Sequence, residues 1–511
     1  MPFDAPDVQL AGILPETIIA VTALVLLVVD ASLGDRIYNA WHLPLLSTFG
    51  LTVAGLFSIL AWVGIADPDV TWLGLAGEGP RTQLAGMVAV DGFSLFCKIA
   101  LAVFGLVTVW LGREYLRGED LEESEFYALV LFAVAGMMLM TAAADLIVMF
   151  IALETFSLAL YVLVGFRRGS LIGQESAMKY FLLGAFSSAF FLFGIALAYG
   201  ATGSTNLYTM SGDGTGAGLV QYLATASSGS VGFLVLATGL LIVGLGFKVA
   251  AVPFHMWTPD AYQGAPSPVT GFMAAGTKLA AFAALVRLLD VSLFQLRADW
   301  RPMVAGIAVV TMALGSLFAI VQEDVKRLLA YSSIAHAGFV LTAVVAANDG
   351  GVSGALFYLA TYGLTVLGAF AVVAVLGGKG EANTRLVDYR GLFYERPLLA
   401  GSLTLFLLSL AGVPLTSGFV AKLVVFGPAI DAGYTWLVVV GALASAVAAF
   451  FYLRIMVVMY MEEREDKRYI DVGPVATAVV GITAVATVGL GLIWGPLFRV
   501  AEQATVFFTS G

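Results

Sequence analysis

The chain has 511 residues, of which 60% are hydrophobic and only 12% charged, and its mean hydropathy is +0.95. Soluble proteins carry roughly a quarter charged residues and need a polar surface, so a cytosolic enzyme, a disordered chain and a secreted disulfide scaffold are excluded. The net charge of −10 argues against nucleic acid as a partner, and one cysteine, Cys97, leaves no internal disulfide and no cysteine-held zinc or iron–sulfur centre.

An outer-membrane barrel would alternate apolar and polar residues. This sequence instead stays apolar for about 20 residues at a time, the length of one helical crossing. Fourteen such runs predict fourteen helices: 12–30, 43–65, 90–111, 125–143, 145–166, 177–200, 231–253, 266–289, 302–321, 328–347, 352–377, 397–428, 435–461 and 474–496. The first opens with Asp4, Asp7 and Glu16 and lacks the basic residues of an export signal. The longest polar-leaning loops, 67–90, 201–230 and 378–396, are too short for a soluble module. The expectation is an all-α polytopic chain forming a single membrane domain, 1–511.

Lysine and arginine placement predicts the orientation. Loops opposite the termini hold fifteen, among them Arg36, Arg113, Lys326, Arg464, Lys467 and Arg468. The terminal side holds five: Arg81, Arg287, Arg297, Arg301 and Arg499, with 287–301 as a local exception. Both termini are therefore expected outside, in the periplasm of a bacterium.

Charged residues inside the runs carry the chemistry. Lys248, Lys278 and Lys422 fall within GLGFKVAAVPF, MAAGTKLAAFAAL and TSGFVAKLVVF, Glu154 within VMFIALETFSLAL, and His336 within LLAYSSIAHAGFV. A charge at mid-bilayer costs several kcal/mol, so such groups face protein or water. Snorkelling remains open for Lys248 and Lys422 and is the expectation for Lys98 and Arg454. Lys278 has about eleven run residues on either side, roughly 16 Å, which its stem cannot cover. A structural ion pair for Glu154 and a packing role for His336 also stay open.

Two runs are interrupted. The twelfth contains Gly412, Val413 and Pro414 ahead of Lys422, and the seventh meets Pro253 five residues after Lys248. Proline removes a backbone donor and breaks the helix. Broken helices at membrane depth survive only in protein or along water, and beside a buried lysine they point to an ion site. The breaks lie five helices apart, an odd offset. It predicts two units of opposite sense, helices 4–8 (125–289) and helices 9–13 (302–461), flanked by 1–111 and 474–511. Glu154 then has His336 as its approximate counterpart.

The stretches ALETFSLALYVLVGFRR (152–168), ESAMKYFLLGAFSSAFFLFGIAL (175–197), GFKVAAVPFHMWTPDAYQGAPSPVTGFMAAGTKLAAF (246–282), EDVKRLLAYSSIAHAGF (323–339) and LSLAGVPLTSGFVAK (408–422) resemble the antiporter-like subunits of respiratory complex I, the proton-translocating NADH–quinone oxidoreductase. Among these the resemblance is to the N type, since lysine at 422 is shared by L and N types while the M type has glutamate, and the L-type extension is missing. The resemblance implies two inverted five-helix units and proton pumping driven by quinone reduction elsewhere in a bacterial inner-membrane complex. It assigns the acid of helix five to Glu154, the lysine beside the break to Lys248, the connecting lysine to Lys278 and the terminal lysine to Lys422. It implies no cofactor on this chain, with FMN, iron–sulfur clusters and quinone held by other subunits. The implied partners are the M- and L-type subunits, the small K, J and A types, the quinone-site H type, and lipids.

Physically this suggests an electrostatic relay. Burial disfavours an ammonium and a nearby carboxylate favours it, so Glu154 close to Lys248 would hold the proton until the pair separates. Tyr331, Ser332, Ser333 and His336, with water, would carry it past Lys278 toward Lys422. A cation/proton antiporter, a ferredoxin-dependent relative of complex I and an inert spacer remain as alternatives.

Overall fold

The computed structural model describes residues 10–33, 41–66, 80–119, 121, 123–208, 218–225, 231–463 and 472–504. Asp4, Asp7, Arg36, Arg464, Lys467 and Arg468 lie outside the described residues, as do large parts of the 67–90 and 201–230 loops. In chain order the helices are α1 (Leu14–Leu33), α2 (His42–Ala66), α3 (Gly92–Glu119), α4 (Ser124–Ala142), α5 (Leu146–Val164), α6 (Leu171–Thr202), α7 (Gly232–Val249), α8 (Trp257–Gly264) and α9 (Ser267–Ser292). They continue as α10 (Arg297–Ile320), α11 (Val325–Ala346), α12 (Asp349–Gly377), α13 (Pro397–Ala411), α14 (Ser417–Asp431), α15 (Thr435–Met461), α16 (Pro474–Leu492) and α17 (Gly495–Gln503). Among the described residues, thirteen helices are long and apolar enough to cross a membrane. The twelfth run divides between α13 and α14, as the Gly412–Pro414 interruption predicts.

Helix starts follow local chemistry. Asp145, Ser170, Asp324 and Asn348 each accept a hydrogen bond from a first-turn amide of α5, α6, α11 and α12, satisfying a donor that helix geometry leaves free. The helices then sort by burial. α9 and α11 are enclosed almost completely and α12 largely so, while α6, α15 and α16 turn broad apolar faces outward. In lipid those outer faces are solvated, so the enclosed helices can carry polar groups without exposing them to hydrocarbon.

One end of the bundle is closed by a hairpin, β1 (Arg81–Gln83) paired antiparallel with β2 (Val88–Val90). Ala144 donates to Met87 O at 2.9 Å, Leu146 to Thr205 O at 2.9 Å and Asn206 Nδ2 to Gly86 O at 2.7 Å, so three connections share one layer. At the other end Val325 donates to Thr384 O at 2.8 Å and Gly380 to Glu119 Oε1 at 2.6 Å.

Several basic residues sit differently from expectation. Lys98 does not snorkel: it is buried, with Nζ 2.8 Å from Glu16 Oε1 and 3.0 Å from Gly12 O. Arg287 is no loop residue. It lies inside α9, fully buried, with Nη2 2.7 Å from Asp91 Oδ1, Nη1 3.0 Å from Tyr208 OH and Nε 2.6 Å from Thr141 O. Lys326 is buried as well, donating to Glu381 Oε2 at 2.6 Å and Ala265 O at 2.5 Å. Arg454 caps the end of α10 through Ile320 O at 2.9 Å. For Arg287 and Lys326, counting loop charges by position overlooked the burial because each partner is far away in sequence. A buried cation with a carboxylate and carbonyls around it needs no aqueous exit.

Candidate functional site

The sequence places Lys248 in the last turn of α7, where Ala250 turns left-handed (φ +63°) and the chain runs non-helically to Trp257. The interruption is satisfied internally: Ala251 N bonds Gly246 O at 2.8 Å, Val252 N bonds Thr311 Oγ1 at 2.9 Å, and Trp257 Nε1 bonds Phe247 O at 2.9 Å. Lys248 is 2% exposed, which removes the snorkelling reading. Its ammonium lies 5.3–5.5 Å from the ring centres of Phe156, Tyr161, Tyr180 and Phe247, and 3.5 Å from Tyr161 OH. Ring faces attract a cation by about 0.5–2 kcal/mol each, more in a dry site.

Glu154 does not form an ion pair with Lys248. It is half-buried on α5 and accepts a hydrogen bond from Ser188 Oγ of α6, while Tyr161 takes the position beside the lysine. A carboxylate one step removed stabilises the ammonium less than a contact pair would, since Coulomb energy falls with distance.

Lys278 follows a π turn at Met273–Thr277 in α9, a local widening that re-aims side chains and recurs at functional sites. It is 2% exposed, donates to the carbonyl of Ser333 on α11 and lies 5.9 Å from the ring centre of Tyr362. Ser333 is the hub of this region. Its hydroxyl accepts from Tyr362 OH at 2.9 Å and faces Tyr262 OH at 3.5 Å. One turn along α11, His336 Nδ1 meets Tyr358 OH at 2.5 Å and Nε2 meets Tyr452 OH at 3.3 Å, and Tyr452 also bonds Ser332. Tyr331 points elsewhere, edge-on to Phe318 at 5.8 Å, and no hydrogen bond joins it to this group among the described residues.

Lys422 is buried in the second turn of α14 and reaches back across the break. Nζ donates to Leu410 O at 3.1 Å, Ala411 O at 2.7 Å and Ser445 Oγ at 2.5 Å, 5.0 Å from the Phe339 ring centre. The two carbonyls are the unsatisfied end of α13, where a cation is favoured. Between His336 and this break lies a cavity of about 10 Å³, bordered by Tyr362, Ser409 and Gly418, room for about one water. Polar and aromatic contacts thus run from one break to the other: Lys248, Tyr180, Trp257, Tyr262, Ser333, Tyr362, His336, Phe339, Lys422.

The family described as NADH:quinone oxidoreductase/Mrp antiporter, transmembrane, matches residues 143–448, which include both breaks and all three lysines. NADH-quinone oxidoreductase subunit N of Trichlorobacter lovleyi is 40% identical over 501 residues, 97% of each chain. The subunit N of Rhodococcus opacus is 42% identical over 538 residues, covering 99% of this chain and 97% of its own. The chain belongs to this family. It is an antiporter-like membrane subunit of the complex I type. A chain of respiratory complex I from Thermus thermophilus superposes with a TM-score of 0.78 at 36% identity, over 96% of this chain and 100% of that one. A chain of the Mrp complex from Dietzia sp. shares the fold, with a TM-score of 0.79 at 21% identity and 96% of each chain covered.

In this antiporter-like subunit the sequence reading missed Tyr161, Tyr262, Tyr358, Tyr362, Tyr452 and Ser445. The signal was present for one pair, since Tyr358 and Tyr362 sit four residues apart on a single helical face inside an apolar run. Gly412 does more than interrupt a helix. Its φ is +86°, and an added Cβ would sit 2.9 Å from Lys422 Cδ and 3.0 Å from Nζ. Gly412→Ala is expected to cost about 1–2 kcal/mol from the left-handed backbone alone, and to push Lys422 off the α13 carbonyls. Thermal unfolding in detergent reads the first effect, and proton translocation by the assembled complex reads the second.

Proposed function

We propose that this chain conducts protons as a non-redox subunit of a bacterial NADH–quinone oxidoreductase, driven by quinone reduction in other subunits. The observation that carries it is the placement of three lysines, Lys248, Lys278 and Lys422, away from lipid at the two helix breaks and midway between them. None of the three has a carboxylate in contact among the described residues, unlike Lys98 and Lys326, whose glutamates tie them down. An ammonium held by rings, hydroxyls and carbonyls gives up a proton more readily than one in a contact ion pair. Glu154 acts on Lys248 from a distance, Ser333 and His336 with their tyrosines span the centre, and Ser332 joins through Tyr452.

The two units, 125–289 and 302–461, act as inverted halves. Support comes from matching pairings: α4 packs on α5 as α10 does on α11, and α6 packs on α7 and α8 as α12 does on α13 and α14. FMN, iron–sulfur clusters and quinone are assigned to other subunits, and the partners are the M- and L-type subunits, the small K, J and A types and the quinone-site H type. Both termini are assigned to the periplasmic side.

The test is Lys278→Met in the intact complex, reconstituted in sealed vesicles with NADH and quinone. Protons moved per electron should fall sharply, whereas Lys98→Met should lower the amount of assembled complex without changing that ratio. A Lys278→Met complex with the wild-type ratio would remove the relay, and a transport rate that tracks sodium instead of protons would favour a cation antiporter.

A further inference from the structure

A second cationic site lies at the end of the bundle opposite the hairpin, where the C-termini of α3 and α12 meet the N-terminus of α16. These three ends enclose a cavity of about 540 Å³ bordered by Trp41, Arg113, Arg117, Lys379, Gly473 and Val475. Arg113 is 4% exposed, and its guanidinium carbon lies 3.6 Å from the ring centre of Trp41. Its Nε and Nη2 are buried without a hydrogen-bond partner among the described residues. Those two donors form one edge of the planar guanidinium, spaced to meet two oxygens of a phosphate or carboxylate. Leaving them unpaired in a buried place is costly.

The acidic residues nearby are already engaged. Glu114 Oε2 accepts from Ala476 N at 2.8 Å, and Glu119 accepts from Gly380 N at 2.6 Å and lies 3.8 Å from Arg167 Nε. Arg117 is exposed beside the cavity and forms no ion pair among the described residues. The cavity also has an apolar wall, from Leu111, Ala374 and Val475. A cationic edge over an indole, at the ends of membrane helices and continuous with an apolar wall, matches an amphiphile with a phosphate at its polar end.

We propose that this cavity binds the phosphodiester headgroup of an anionic phospholipid, with the Nε–Nη2 edge of Arg113 on two phosphate oxygens, Arg117 at the rim and the upper acyl chain against Leu111, Ala374 and Val475. The site takes no part in the lysine path and does not depend on its assignment.

Trp41 reports on the site. The full-length chain is placed in phosphatidylcholine nanodiscs containing either dibrominated phosphatidylglycerol or dibrominated phosphatidylcholine, and Trp41 quenching is taken as the difference from a Trp41→Phe chain. Wild-type Trp41 should be half-quenched at about 25-fold less phosphatidylglycerol than phosphatidylcholine, the product of the contributions of Arg113 and Arg117. Each cation near the surface accounts for about fivefold, so Arg113→Gln and Arg117→Gln should each remove about that much of the preference. Arg117 is exposed, so its variant keeps the test open if Arg113→Gln fails to fold. Equal quenching by the two lipids in the wild-type chain overturns the proposal. Relief of quenching by inorganic phosphate at about millimolar concentration also overturns it, assigning the pocket to the free ion.

Discussion

Lys248→Met in the assembled complex is expected to lower proton translocation about tenfold or more, equal to at least about 1.4 kcal/mol on the limiting step. Methionine fills nearly the same volume among Phe156, Tyr161, Tyr180 and Phe247, and a volume-conserving change in such surroundings is well tolerated. The loss should therefore appear in transport and not in the quantity of folded protein. Lys248→Arg separates charge from proton exchange. Guanidinium keeps the positive charge but does not release its proton, so this variant should translocate as poorly as the methionine variant. An arginine variant with normal pumping would mean that Lys248 acts as a fixed charge, and the relay would lose its member at the first break.

The largest effect on stability is expected from Arg287→Met. The change takes the guanidinium from the enclosed Asp91 carboxylate, leaving its negative charge unbalanced by Arg287, and removes one donor each from Tyr208 and the Thr141 carbonyl. Removing one member of a buried pair typically costs about 3–5 kcal/mol. Little of the variant should reach the membrane in folded form, measured as protein recovered after mild detergent extraction and size-exclusion chromatography. Arg287→Met combined with Asp91→Asn should recover part of the loss, because no net charge then stays buried. If the double variant were as poor as the single one, the cost would lie in lost packing and hydrogen bonds, not in the buried charge of Asp91.

Most of the crossing pattern was legible, and the reason is physical. An apolar run long enough to span hydrocarbon has few alternatives to a helix, so limits such as 125–143 and 435–461 fall within a residue of α4 and α15. The break before Lys422 was legible because glycine and proline act on the local backbone whatever surrounds them. Contacts between distant segments were not legible. Lys98 near a helix end looks like a snorkelling residue until Glu16, from another helix, is brought against it. Arg287 looks like a loop residue until α9 is seen to continue to Ser292. Glu154 and Lys248 looked like a contact pair because opposite charges invite that reading, yet Tyr161 occupies the space beside the lysine. Tyr331 shares a motif with Ser332 and Ser333 but points to another face, since consecutive helical residues are about 100° apart.

The seat of Lys422 has a consequence for how its charge can change. With its proton, the nitrogen offers three hydrogens, and three acceptors stand ready: Leu410 O, Ala411 O and Ser445 Oγ. Without it, two hydrogens still serve the carbonyls, and the freed lone pair faces a serine hydroxyl that needs only to rotate to donate. Either protonation state is fully bonded in one location, so the amine can load and unload without leaving its berth.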